Sequence, residues 1–130
     1  MVTEALQQVH EAGMVHSDFK LDNVVVEANK KGKPERVHII DFGFSVSVGG
    51  RKSPRKSAER KEWYCDCFYS GDKMQAKCDV LGLGVILMEV LDILEEVPEE
   101  LEEMVERTQE FEHDLRPEVK EVRELLERLL

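Results

Sequence analysis

The chain has 130 residues, with 28 Asp plus Glu against 18 Lys plus Arg, a net charge of -10 and 42% apolar residues. A chain of this size buries roughly two thirds of its unfolded surface, so one compact core is attainable without disulfides or metals. No apolar run approaches the ~20 residues of a membrane span, and Met1 to Gly13 lacks the charged and apolar regions of a secretion signal.

The expectation is therefore an intracellular, cytoplasmic chain with no membrane partner. Residues 1–92 carry 14 acidic and 13 basic side chains, whereas residues 93–130 carry 14 and 5. The acidity belongs to the C-terminal third and reads as a solvated helical surface. The basic cluster Arg51, Lys52, Arg55, Lys56, Arg60 and Lys61 sits among Gly, Ser and Pro and reads as a solvated loop. No nucleic-acid partner is expected. Cys65, Cys67 and Cys78 are odd in number and lack the paired CxxC spacing of a zinc site, so they read as free thiols.

Taken in chain order, Val2, Ala5, Leu6 and Val9 fall at helical spacing, and the pattern stops at Gly13. Two β-rich runs follow, 23–27 and 36–40. The polar stretch 28–35 between them, with Gly32 and Pro34, predicts a hairpin. Residues 43–76 show no sustained period and predict a long loop, which a compact domain carries only for a use. Asp79 precedes VLGLGVILMEVLDIL, apolar on nearly all sides, so a central buried helix is expected over 79–94. Pro98 and Pro117 open two further helices with apolar stripes and acidic outer faces, filling 98–130. The fold class expected is α+β, mainly α.

The informative string is His16-Ser17-Asp18-Phe19-Lys20-Leu21-Asp22-Asn23, with Asp41-Phe42-Gly43 following 18 residues after Asn23, at the end of an apolar run. This resembles the catalytic core of protein kinases, with a catalytic loop at 16–23, DFG at 41–43 and an activation segment at 43–76. Asp79-Val80-Leu81-Gly82-Leu83-Gly84 looks like the family's central-helix signature. Leu115-Arg116-Pro117 looks like the Arg-Pro that opens its last helix. The resemblance covers the C-terminal lobe only, because no Gly-rich loop, strand lysine or partner glutamate helix occurs in the 130 residues. The expectation is a partial kinase domain over 1–130, with the N-lobe absent.

The chemistry of phosphoryl transfer suits these residue types, because it is mostly positioning and charge neutralisation. The resemblance implies that Asp18 orients or deprotonates the attacking hydroxyl and that Lys20 reaches the γ-phosphate. It implies that Asn23 and Asp41 hold magnesium through hard oxygen donors, and that Val25 floors the adenine of ATP. His16 would pack against Phe42, and Asp79 would bond the catalytic-loop backbone. Singly, each residue has an ordinary explanation as a turn former, surface charge, hairpin valine or N-cap.

Through Lys20, the resemblance implies a serine/threonine kinase. Ser17 stands where the family usually has arginine, so loop phosphorylation is not the expected switch; Ser45, Ser47, Ser53 and Ser57 remain modifiable. Trp63-Tyr64-Cys65-Asp66-Cys67-Phe68 replaces the APE element, and the resemblance makes Asp66 a candidate partner of Arg116, with an exposed aspartate the equal alternative. The principal expectation is a serine/threonine kinase C-lobe that needs an N-lobe, or a partner protein over the exposed cleft face, to transfer phosphate. The alternatives are an inactive pseudokinase-like scaffold and, less well supported by DFG and Arg-Pro, a small-molecule phosphotransferase of the aminoglycoside-kinase type.

Overall fold

A computed structural model describes residues 1–55 and 59–129; Lys56 of the basic cluster and Ser57 lie outside the described residues. Helix α1 (Val2–Glu11) turns Leu6 and Thr3 inward and ends before Gly13, whose φ of 86° suits a residue without a Cβ. That turn feeds β1 (Met14–Val15), which pairs antiparallel with β4 (Val46–Ser47) in the register Met14↔Ser47 and Val15↔Val46. The loop 16–23 leaves β1 and closes in a 3-10 turn at Leu21–Asn23.

Strands β2 (Val24–Ala28) and β3 (Pro34–Ile39) form the expected hairpin, with Val24 opposite Ile39 and Glu27 opposite Arg36. Asn29 holds the turn, because its Oδ1 accepts from the Lys31 and Lys33 amides at 2.9 and 3.1 Å. Among the described residues the architecture is mostly helical with two small antiparallel ribbons.

Helix α3 (Val80–Ile93) packs against α4 (Glu99–Thr108), α1 packs against α5 (Val119–Leu129), and all four helices feed one apolar core. Leu6, Phe19, Leu83, Ile86, Leu87, Leu101, Val105 and Val122 bury together there, each worth about 1.5–3 kcal/mol of transfer free energy. Two glycines make the fit achievable. A Cβ on Gly82 would collide with the Phe19 carbonyl oxygen, and one on Gly84 with the Thr108 hydroxyl and the Gln109 amide. The apolar run that announced α3 thus also carries the glycine that lets loop 16–23 rest on it.

The stretch 43–76 is less irregular than its composition implies. It supplies β4 and a further helix, α2 (Asp66–Ser70), which buries Cys67, Phe68 and Tyr69 and ends at Gly71 with φ 80°. Tertiary stacking stabilises a five-residue helix that has no room for a period. Tyr64 and Phe68 stack at 4.0 Å with rings 5° apart, and Phe44 meets Phe68 edge-on at 5.6 Å. The basic loop is likewise only partly solvated. Lys52 Nζ lies 5.2 Å from the Phe44 centroid, and the Arg55 guanidinium lies 5.1 and 5.0 Å from Phe44 and Phe68. Burial lowers the Lys52 ammonium pKa, and the Arg55 charge lowers it further.

Candidate functional site

Loop 16–23 is positioned from below by Asp79. The Asp79 carboxylate accepts from the His16 and Ser17 amides, both at 2.8 Å, and Oδ2 also meets His10 Nε2 at 2.8 Å. No side-chain cap bond joins Asp79 to its own helix, so its buried charge serves the loop instead of α3. Ser17 holds φ at 74°, an uncommon conformation for a residue with a Cβ, and the two fixed amides on the loop account for its persistence.

His16 is fully buried and works as a strut. Its Nε2 bonds the Ile40 carbonyl at 2.8 Å, its Nδ1 accepts from the Asp18 amide at 3.2 Å, and its ring meets Phe42 at 4.9 Å. The acceptor role of Nδ1 places the proton on Nε2. One imidazole therefore ties the loop to the segment entering Asp41. Asp41 itself has φ 60° and is exposed, and the Gly43 amide donates to its Oδ1 at 3.4 Å.

Asp18 is only 4% exposed. Asn23 Nδ2 donates to the Asp18 carbonyl at 2.8 Å and to Oδ2 at 3.3 Å, and Trp63 Nε1 donates to Oδ1 at 2.9 Å. Both Asn23 contacts are acceptors, which fixes the amide with nitrogen toward Asp18 and leaves its oxygen for another partner. Lys20 Nζ sits 4.8 Å from the Trp63 ring centroid. Burial raises the Tyr64 phenol pKa, and the Asp18 charge and hydrogen bond raise it further.

The structure thus gathers Asp18, Lys20 and Asn23 on one loop, with Asp41 linked to it through His16. Val25 is 44% exposed and faces His38 across the hairpin. Trp63 enters this group from the far side of the chain, and its sequence context carried no signal for that contact. A concavity of about 910 Å³ lies elsewhere, among α1, α5 and residues 72–77, and none of Asp18, Lys20, Asn23, Val25 or Asp41 lines it.

One expected pairing is corrected. Arg116 is buried, but Asp66 pairs with Arg60 at 3.1 Å. Arg116 instead donates to the carbonyls of Glu110, Phe111 and Lys77 and to Cys65 Sγ at 2.8, 3.1, 3.1 and 3.3 Å. Asp66 opens α2 and faces outward, where Arg60 reaches it.

The whole of residues 1–130 matches the family model for the protein kinase domain. The chain belongs to the protein kinase family. A serine/threonine-protein kinase-like protein of Arabidopsis thaliana is 31% identical over 91 residues, covering 69% of this chain and 25% of that protein. Serine/threonine-protein kinase pakC of Dictyostelium discoideum is 27% identical over 90 residues, covering 68% and 18%. Human ribosomal protein S6 kinase alpha-3 is 27% identical over 95 residues, covering 69% and 12%. The kinase-family chain therefore spans a quarter or less of the length of these relatives. Protein kinases generally use ATP and magnesium, and the Arabidopsis and Dictyostelium relatives are named as serine/threonine-protein kinase or kinase-like. No helix among the described residues is long and apolar enough to cross a membrane.

Proposed function

We propose that residues 1–130 are the C-terminal lobe of a serine/threonine protein kinase and act on a protein hydroxyl when an N-lobe completes the nucleotide site. The observation that carries this reading is the Asn23 amide bound to both the carbonyl and the carboxylate of Asp18, with Asp79 fixing the loop beneath them. In this reading Asp18 orients the attacking hydroxyl and takes its proton, and Lys20 neutralises charge on the transferred phosphoryl group. The donor set suits magnesium, because the free Asn23 oxygen and the exposed Asp41 carboxylate are hard oxygens. Magnesium bound there would neutralise phosphate charge. Val25, on the exposed hairpin face, would support the adenine ring.

An N-lobe, or a partner protein, would cover Leu21, Val25, Val26, Ile40 and Phe42, which are 42–52% exposed. The second reading, a scaffold without transfer activity, is favoured by one side chain: Trp63 already occupies Asp18 and shields Lys20.

Manganese with ATP, used as a paramagnetic probe, separates the two. On the catalytic reading it broadens the amide resonances around Asn23 and Asp41, and the Asp41→Asn substitution abolishes the broadening at both. Broadening elsewhere, or broadening insensitive to Asp41→Asn, overturns the assignment of the metal-binding residues and leaves the scaffold.

A further inference from the structure

Cys65, Cys67 and Cys78 do not pair by spacing in the sequence, but the fold brings them together with a histidine from the far end of the chain. The three Sγ atoms and one ring nitrogen of His113 all lie within 4.8 Å of one another. Cys67 Sγ and His113 Nδ1 are 3.5 Å apart. Zinc bonds thiolate at about 2.3 Å and imidazole at about 2.0–2.1 Å, so the edges of a tetrahedral Cys₃His site measure roughly 3.5–3.8 Å. Small side-chain rotations close the difference. All three cysteines are buried and His113 is half-buried, as a structural metal site requires.

Two neighbours fit a metal better than they fit three neutral thiols. His113 Nε2 lies 3.3 Å from Asp114 Oδ1, an arrangement that keeps the proton on Nε2 and leaves the Nδ1 lone pair facing the sulfurs. A carboxylate on the far nitrogen is the usual outer support of a zinc-bound histidine. Arg116 is 2% exposed and has no carboxylate partner among the described residues. Its Nη1 points at Cys65 Sγ at 3.3 Å. A buried guanidinium without a counter-charge is costly. Three thiolates on a divalent cation carry one net negative charge, which matches it.

We propose that Cys65, Cys67, Cys78 and His113 form a structural site for a soft divalent cation, with zinc the best match to a tetrahedral S₃N donor set. Binding displaces the thiol protons and leaves no open position for substrate. The ion ties three segments together: the entry to α2, the turn before α3 and the turn at His113–Leu115. It anchors the stretch that carries Trp63, two residues before Cys65, and so the contact that Trp63 makes with Asp18. The site does not depend on kinase activity.

The chain, purified under reducing conditions without chelator from zinc-supplemented cells, should retain roughly one zinc per molecule by elemental analysis. Cobalt added to the stripped chain should give the visible bands of tetrahedral thiolate coordination. His113→Ala leaves all three thiols in place and should weaken zinc binding by more than about 10-fold, as should Cys67→Ser. Where a variant does not fold, competition between the wild-type chain and a chromophoric zinc chelator reads the affinity directly. A reduced wild-type chain that takes up no zinc overturns the proposal. So does an octahedral cobalt spectrum, or zinc retained equally by wild type, His113→Ala and Cys67→Ser.

Discussion

Trp63 donates its indole N–H to Asp18 Oδ1 at 2.9 Å, across 45 residues of sequence, while Lys20 lies over the same indole ring. The two side chains proposed to handle the hydroxyl proton and the phosphoryl charge therefore share one aromatic lid. A hydrogen bond to a charged group contributes about 1.5–3 kcal/mol, toward the low end for a half-exposed donor. The lid must move, or be displaced by substrate, before Asp18 can meet a hydroxyl. Trp63→Phe keeps the ring over Lys20 and removes the donor. With an N-lobe supplied, transfer should rise about tenfold at low substrate concentration. A fall in rate would instead assign the indole a positioning role.

Trp63 is the chain's single tryptophan, so its emission reports on this contact alone. Asp18→Ala removes the acceptor, leaves the indole held by the Lys20 ammonium over its ring and its tilted contact with Tyr64, and frees it toward water. Its emission maximum should move to longer wavelength without loss of helical circular dichroism. An unchanged maximum would show that the bond contributes nothing to the indole's placement.

Asp79 bears on stability more than on chemistry. Replacing it by alanine orphans the buried His16 and Ser17 amides at about 1–3 kcal/mol each. It also removes the carboxylate facing His10. Urea denaturation should show Asp79→Ala less stable than wild type by at least ~2 kcal/mol, with Asp79→Asn intermediate because its amide oxygen still accepts one bond. A loss under ~0.5 kcal/mol would mean that the loop amides find water instead.

Loop 16–23 and the central helix were legible in the sequence because their signals are local. The apolar run after Asp79 has room for more than three helical turns, and His16, Asp18, Asn23 and Asp41 sit at fixed offsets. The strands could be read for the same reason, with Gly32 and Pro34 marking the polar stretch between them. Three features were not legible. Helix α2 is too short to show a period and rests on the stacking of Tyr64 on Phe68. Arg116 looked as though it needed a carboxylate, yet three carbonyls and a sulfur surround it. Cys67 and His113 meet across 46 residues, a proximity that no spacing rule encodes. Each miss is tertiary, set by which segments the core brings together.

The exposed apolar face supports a prediction about the chain in solution. Leu21, Val25, Val26, Ile40 and Phe42 stand 42–52% exposed around the loop and hairpin. Such surface binds environment-sensitive dyes and favours association. The chain should bind an anilinonaphthalene dye and sediment as a concentration-dependent mixture, and Val26→Lys should weaken both. A monomer at all concentrations, with no dye binding, would mean that this face is not a covered surface in the working protein.

Gly82 provides the sharpest test of how the helix and the loop meet. A methyl at this position would run into the backbone carbonyl of Phe19, which cannot rotate away as a side chain could. Phe19 in turn is 1% exposed and packed within the main core. Gly82→Ala ordinarily favours a helix by about 1 kcal/mol. Here the collision must push α3 and loop 16–23 apart, a strain of roughly 1–3 kcal/mol or more that outweighs the helix gain. The variant should therefore be destabilised in urea. It should also lose the fluorescence signature of Trp63, because displacing Phe19 displaces Asp18 beside it. A stabilised Gly82→Ala chain with unchanged emission would show that the loop does not rest on α3 at this point.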